Sequence, residues 1–257
     1  MKNKLLTNNR NYFALKIMAE RIARSKYGMY FAFHGCFALS AWQEYNVEHK
    51  VYRDTKELEV YAFNESVLNA MLSELDAEMR QSCGKIRFSN VVRNDKSKKV
   101  KSIGFTMSDG ATPVDLKITF TLVSNKILSL ENCPMINAPV ANNLNLLCDV
   151  LHDACSTRAL KSINSFFDLY MLSGMWSYRS DDVLSVMKVR YKNFETSRKW
   201  LFTQDNYAKF QRMYTNNRSI QCKPDFDRVW QTVTQFAYMF YCRRGGLFWR
   251  GKGWEQW

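Results

Sequence analysis

Phe33-His34-Gly35-Cys36-Phe37-Ala38-Leu39, followed by Tyr52-Arg53-Asp54-Thr55-Lys56-Glu57-Leu58-Glu59-Val60-Tyr61, is the stretch on which the reading of this chain turns. The first piece places a small glycine-bearing turn at the start of an apolar helix. The second reads as extended, with Glu57 and Glu59 separated by one apolar residue. On a strand, positions i and i+2 point to the same face, so these carboxylates stand side by side. They either repel each other or share a cation. Hard cations such as Mg²⁺ accept such ligands, usually one or two carboxylates plus substrate phosphates. A glycine turn at a helix start offers backbone N–H groups to an anion. Together the two pieces hold what handling a nucleoside triphosphate requires. The plainer alternative is a solvated strand face flanked by Arg53 and Lys56 as surface charge.

These residues resemble the nucleotidyltransferase superfamily and, within it, the AbiEii/AbiGii-like toxin proteins. That pattern is a Gly-Gly or Gly-Ser pair, a Thr-Ala-Leu helix start, and then Arg-x-Thr-x-Asp-φ-Asp-φ, with φ apolar. Here Gly35-Cys36 stands at the small pair and Ala38-Leu39 continues it. Arg53, Thr55 and Lys56 precede Glu57-Leu58-Glu59-Val60, which stands for Asp-φ-Asp-φ. The spacing is kept while the letters differ: Cys36 is neither Gly nor Ser, and glutamates replace both aspartates. A glutamate adds a methylene and a rotatable bond, so its carboxylate reaches further and is held less tightly. Two glutamates therefore suit a recessed strand or a larger ion, or else a site that keeps the fold and has lost catalysis.

The resemblance implies an α/β (α+β) fold, with a nucleotidyltransferase-like mixed β-sheet core, flanking helices and a mainly helical C-terminal half. It implies Mg²⁺ (or Mn²⁺) held by Glu57, Glu59 and a third acid from a later strand, for which Asp115 in Val114-Asp115-Leu116-Lys117-Ile118-Thr119 is the best candidate. If the acidic position aligns at Lys117 or Thr119 instead, the third carboxylate is missing. The residue-level alternative for Asp115 is a strand-start turn. An NTP would be the substrate, met by Gly35, Cys36, Arg53, Thr55 and Lys56. Its nucleotide would pass to an RNA (tRNA-like) or protein hydroxyl, and a cognate antitoxin protein would be a partner.

A second block of the family pattern, a helix carrying Ala-x-Lys-φ and then Arg-x-x-Asp-φ-Tyr-Asp-φ, is matched by Asp168-Leu169-Tyr170. The family lysine is absent, with Asp149 and Val150 in its neighbourhood, and Arg158 or Lys161 stands as its substitute toward phosphate. Asp168 reads either as a nucleotide-site residue or as the partner of Arg158 or another base.

Composition sets the outer bounds. The chain has 257 residues, 46% apolar and 14% aromatic, which suits a folded protein of one large or two small domains. No run approaches the roughly 18 uncharged apolar residues of a membrane span. Met1-Lys2-Asn3-Lys4-Leu5-Leu6 runs into Thr7-Asn8-Asn9-Arg10-Asn11 without the apolar core of a signal peptide, so the reading is cytoplasmic, with no membrane partner. The seven cysteines form no Cys-x-x-Cys pair. Cys148 and Cys155, with His152 between them, are the one hint of a soft-metal cluster, against small buried thiols. Lys plus Arg outnumber Asp plus Glu by 37 to 24, a formal charge of +13 that favours a polyanion, nucleic acid above all.

Periodicity predicts amphipathic helices over residues 11–27 and 66–83, the latter capped by Ser66, a helix from Leu39, and a strand over 50–63. Strands are expected over 86–92, 102–107 and 114–123, with a hairpin turn at Asp109-Gly110. After Pro134 and Pro139 the segments 142–160, 165–172, 181–193, 205–214 and 225–241 read helical. The expected division is a nucleotidyltransferase-like core over 1–140 and a helical domain over 141–257 packed against it. The C-terminal stretch from Tyr241 interleaves cations, aromatics and glycines. Arg243, Arg244, Trp249, Arg250 and Lys252 are its candidate nucleic-acid contacts. The alternative is a tail packed into its own domain. Arg190, Lys192, Arg198 and Lys199 near Trp200 form a second basic-aromatic patch, or simply a solvated helix face.

Overall fold

Asn9 caps the first helix, α1 (Arg10–Arg24), by accepting a hydrogen bond from the Tyr12 N–H at 2.8 Å. Its buried residues Leu15, Met18, Ala19 and Ile22 recur at three- and four-residue spacing, which turns one helix face into a core. A short 3₁₀ turn leads to β1 (Phe31–His34), whose apolar residues are buried. Gly35, at φ +67°, turns the chain directly into α2 (Gly35–Tyr45). The computed structural model describes residues 9–45, 52–82, 84–95, 97–110, 112–123, 128–154, 163–191 and 200–256.

The segment 50–63, expected as one strand, is two. β2 (Tyr52–Arg53) pairs in a small separate sheet, and β3 (Glu57–Ala62) enters the main one. Between them Asp54 accepts a hydrogen bond from the Asn11 amide at 2.8 Å, and the Thr55 hydroxyl accepts the Glu57 N–H at 3.2 Å. These side-chain bonds take the place of ladder bonds and end one strand before the next begins. α3 (Glu65–Arg80) is capped by Asn64, which accepts the Val67 N–H at 3.1 Å, so Ser66 lies inside the first turn instead of capping it. β4 (Arg87–Asn94), β5 (Val100–Ser108) and β6 (Val114–Leu122) then run antiparallel to one another in turn, with Gly110 at φ +91° in the turn between the last two.

Two further strands, β7 (Leu130–Cys133) and β8 (Ala138–Ala141), were not expected. Pro139 lies inside β8 opposite Asn132, and a proline within a short apolar run hides a strand from periodicity. The seven strands lie in the order β4-β5-β6-β3-β1-β8-β7. β3–β6 and β1–β8 are parallel and the other pairs antiparallel, so the sheet is mixed. Phe31, Phe33, Phe37, Leu58, Val60, Ile118 and Phe120 form its buried centre. Glu44, buried in the same unit, is satisfied by Lys16 Nζ at 2.8 Å and the Tyr12 hydroxyl at 2.7 Å. Burial, and then that carboxylate, push the Tyr12 phenol well above its ordinary range.

The chain divides into two compact units, Met1–Val47 with Asp54–Ala141, and Glu48–Arg53 with Asn142–Trp257. The second unit holds α4 (Asn143–Ala154), α5 (Ile163–Met175), β9 (Tyr178–Arg179), α6 (Ser180–Arg190), α7 (Gln204–Asn216), β10 (Ile220–Gln221), α8 (Phe226–Tyr241), β11 (Leu247–Trp249) and β12 (Trp254–Gln256). Of the expected helix over 142–160, residues 155–160 lie outside the described residues. Asp225 caps α8 by accepting the Arg228 N–H at 3.1 Å. A cluster of Phe166, Phe210, Phe226 and Trp230 fills this unit, with Phe166 and Phe210 ring centres 5.2 Å apart. β10 pairs with β2, and β9, β11 and β12 make a three-stranded sheet. Among the described residues no helix is long and apolar enough to cross a membrane.

Candidate active site

The antiparallel register of β1 and β3 sets His34 opposite Glu59 and so brings the Glu59 carboxylate to the start of α2. Its Oε2 accepts the Cys36 N–H at 3.3 Å. A Cβ on Gly35 would overlap that carboxylate. Glycine is therefore needed at 35 twice over, for its left-handed backbone and for the space the carboxylate fills. The helix N-terminus favours negative charge. The chain's own carboxylate takes the position that the sequence pattern gives to a phosphate.

The parallel register of β3 and β6 sets Glu57 beside Lys117 and Glu59 beside Thr119. Lys117 Nζ donates to Glu57 Oε1 at 2.7 Å, and the Thr119 hydroxyl donates to the same oxygen. Asp115 lies one strand period earlier, opposite Thr106, whose hydroxyl donates to it at 2.7 Å. Asp115 thus shares a sheet face with the glutamates but turns to β5, with the Lys117 ammonium next in line on its own strand. The expected trio of carboxylates is not assembled. The reason is register: the residues level with Glu57 and Glu59 are a lysine and a threonine. Among the described residues no group of three or more His, Cys, Asp and Glu side chains is placed to hold a metal ion. Glu57 and Glu59 are the two carboxylates β3 offers on this face, and both are engaged by the protein, Glu57 by Lys117 and Thr119 and Glu59 by the Cys36 N–H.

The other sequence candidates fall elsewhere. Lys56 is exposed, and its carbonyl accepts the Lys117 N–H at 2.9 Å, which sets the β3–β6 register. Thr55 uses its hydroxyl on the backbone of Glu57. In the second unit Arg53 and Asp168 meet as a bidentate pair, Nε to Oδ1 at 2.8 Å and Nη2 to Oδ2 at 2.6 Å. Both side chains are nearly buried, at 12% and 8% exposure. The pairing of Asp168 with a base is therefore realised with Arg53, and each uses its hydrogen-bonding edge on the other. Arg158 and Lys161 lie outside the described residues, as do Lys192, Arg198 and Lys199.

Sequence reasoning missed Arg190 as a buried cation. Its guanidinium meets Asp149 at 2.6 Å and the Asn145 side chain at 2.9 Å, so it ties α6 to α4 and is not part of a solvated patch. The hydroxyl of Tyr191 also donates to Asp149. The sequence signal was an acid, Asp149, in the neighbourhood of the lysine of the resembled pattern, and a partly buried acid calls for a base. Cys148 is fully buried, and desolvation pushes its thiol well above the ordinary range, as for a core thiol.

The C-terminal stretch packs into its own unit, and this corrects the reading of Trp249. That ring is 1% exposed, donates from Nε1 to the Ser173 carbonyl at 2.7 Å, and lies 4.9 Å from Phe236. Trp249 is a core residue and not an exposed stacking platform. Arg243, Arg244, Arg250 and Lys252 remain exposed, Arg250 paired with Glu255 at 2.9 Å.

No protein-family model and no curated protein matches this chain. Solved structures do. A Helicobacter pylori protein described as a nucleotidyltransferase is 12% identical with a TM-score of 0.55, covering 91% of this chain and 94% of that one. JHP933, also from Helicobacter pylori, is 12% identical with a TM-score of 0.57, covering 93% of each chain. At that identity the likeness speaks of architecture: the chain has a nucleotidyltransferase-type fold, a mixed sheet with helices.

Proposed function

We propose that this chain binds a nucleoside triphosphate at Gly35, Cys36, Glu57 and Glu59, and transfers its nucleotide to a hydroxyl of an RNA or a protein, in the manner of AbiEii-type toxins. The observation that carries this reading is one constellation: a glycine-started helix meeting Glu59 across β1 and β3, with Glu57 one strand period away on the same face. The narrower AbiEii-like assignment, and with it an antitoxin partner, rests on the motif spacing alone. A Mg²⁺ or Mn²⁺ ion held by Glu57 and Glu59 would supply charge neutralisation at the reacting phosphate.

The protein's own groups supply positioning. The Cys36 N–H, at the positive end of α2, receives a phosphate oxygen once Glu59 turns from it. Lys117, released from Glu57, offers its ammonium to the triphosphate, and the exposed Lys56 adds a second cation from the same strand edge. The excess of 37 basic over 24 acidic residues draws the polyanionic substrates in.

A second reading has its own observation. Lys117 and Thr119 already satisfy Glu57, and Cys36 already satisfies Glu59, as in a fold that has kept its shape and serves as a nucleic-acid or protein-binding module without transfer. Isothermal titration with ATP, CTP, GTP and UTP in the presence of Mg²⁺ separates them. Micromolar to millimolar binding of one or more, lost in Glu59→Gln, supports the transferase. Silence with all four, alongside salt-sensitive RNA binding, sinks it.

A further inference from the structure

We propose that an open aromatic groove on the second unit is a binding site for a base of single-stranded nucleic acid, its flanking phosphates held by the cations of the C-terminal hairpin. The groove has a volume of about 490 Å³ and is lined by Trp200, Phe202, Gln235, Tyr238, Met239 and Trp254. Its rings are fixed before any ligand arrives. Trp200 stands edge-on to Phe202 at 5.0 Å and to Tyr238 at 5.3 Å. Trp254 donates from Nε1 to the Gln235 carbonyl at 3.1 Å and packs on Phe240 at 5.0 Å. Tyr238 remains 45% exposed.

Charge selects the occupant. An apolar groove alone would suit a hydrophobic peptide as well, but here the exposed Lys252 directly precedes the lining residues Gly253 and Trp254. Arg243 and Arg244 are exposed directly after the helix that carries Tyr238 and Met239, two cations a few residues along the chain from the groove lining. The hairpin that supplies Trp254 also carries Arg250, seated over the Phe248 ring at 5.4 Å, and the exposed Lys252. Glu255 pairs with Arg250 at 2.9 Å. Rigid rings beside exposed cations are the two parts that single-strand binders combine, stacking for the base and charge for the backbone. The exposed Gln235 amide adds a donor and an acceptor for a base edge. This inference does not depend on transfer chemistry in the first unit.

The test is fluorescence polarisation of the full-length protein with a fluorescein-labelled 12-nucleotide single strand and with an abasic strand of equal length. Wild type should bind the base-bearing strand on the order of tenfold more tightly than the abasic one. Tyr238→Ala should remove most of that difference while its melting temperature stays put. Arg244→Gln with Lys252→Gln should weaken both strands equally and flatten the salt dependence. Equal affinity for the two strands in wild type, no binding of either, or an unchanged ratio in Tyr238→Ala would each overturn the proposal.

Discussion

Arg53→Ala is the substitution whose cost follows most directly from the structure. It removes a guanidinium that makes two hydrogen bonds, at 2.8 and 2.6 Å, to a carboxylate only 8% exposed. Breaking such a pair from one side leaves a buried uncompensated charge and costs about 3–5 kcal/mol. Asp168→Asn keeps the shape but strands the Arg53 guanidinium and turns an amide NH2 toward one of its donors, so it too should cost about 3–5 kcal/mol. Arg53→Met combined with Asp168→Leu removes both charges and should recover most of the loss. Lys at 53 keeps the charge but not the fork, and falls between alanine and wild type. Urea unfolding followed by tryptophan fluorescence reads this, since the buried Trp230 and Trp249 lie in the same unit. NTP titration of each variant runs beside it. If Arg53→Ala unfolds within about 1 kcal/mol of wild type yet loses nucleotide binding, Arg53 is a ligand of the nucleotide and the reasoning from burial fails.

Trp249→Ala should cost about 3–5 kcal/mol in the same unfolding assay, because it empties a buried ring position and strips the Ser173 carbonyl of its donor. An unchanged transition together with weakened oligonucleotide binding would instead make it a stacking residue. Lys117→Met frees Glu57 from its ammonium. The pair is about 40% exposed, so its release should tighten Mn²⁺ binding by no more than about fivefold, read by paramagnetic relaxation of water. Weaker Mn²⁺ binding in that variant would contradict a cation site at Glu57.

Much of this was legible in the sequence because the signals were local. Gly35 before an apolar run marks the strand-to-helix turn, and the alternation in 114–123 marks β6. Asp109-Gly110 marks the hairpin before it. The mixed sheet covered by helices follows from the resemblance and is what the structure has. What the sequence hid was register and pairing. Nothing in Val114-Asp115-Leu116-Lys117 says which residue stands level with Glu57, and a shift of two positions decides between a third acid and a lysine. Pro139 concealed β8, and the helix is capped two residues before Ser66, by Asn64, which accepts the Val67 N–H three residues on. Trp249 carried the composition of a nucleic-acid contact and the environment of a core residue, a difference only packing reveals.

The central claim is that Glu57 and Glu59 serve nucleotidyl transfer. Purified protein incubated with α-labelled NTPs, Mg²⁺ or Mn²⁺ and total tRNA tests it most directly. The account predicts labelling of RNA or protein by wild type and its loss in Glu57→Gln, with an unchanged melting temperature. No labelling under any of the four nucleotides, or equal labelling by Glu57→Gln, would contradict it.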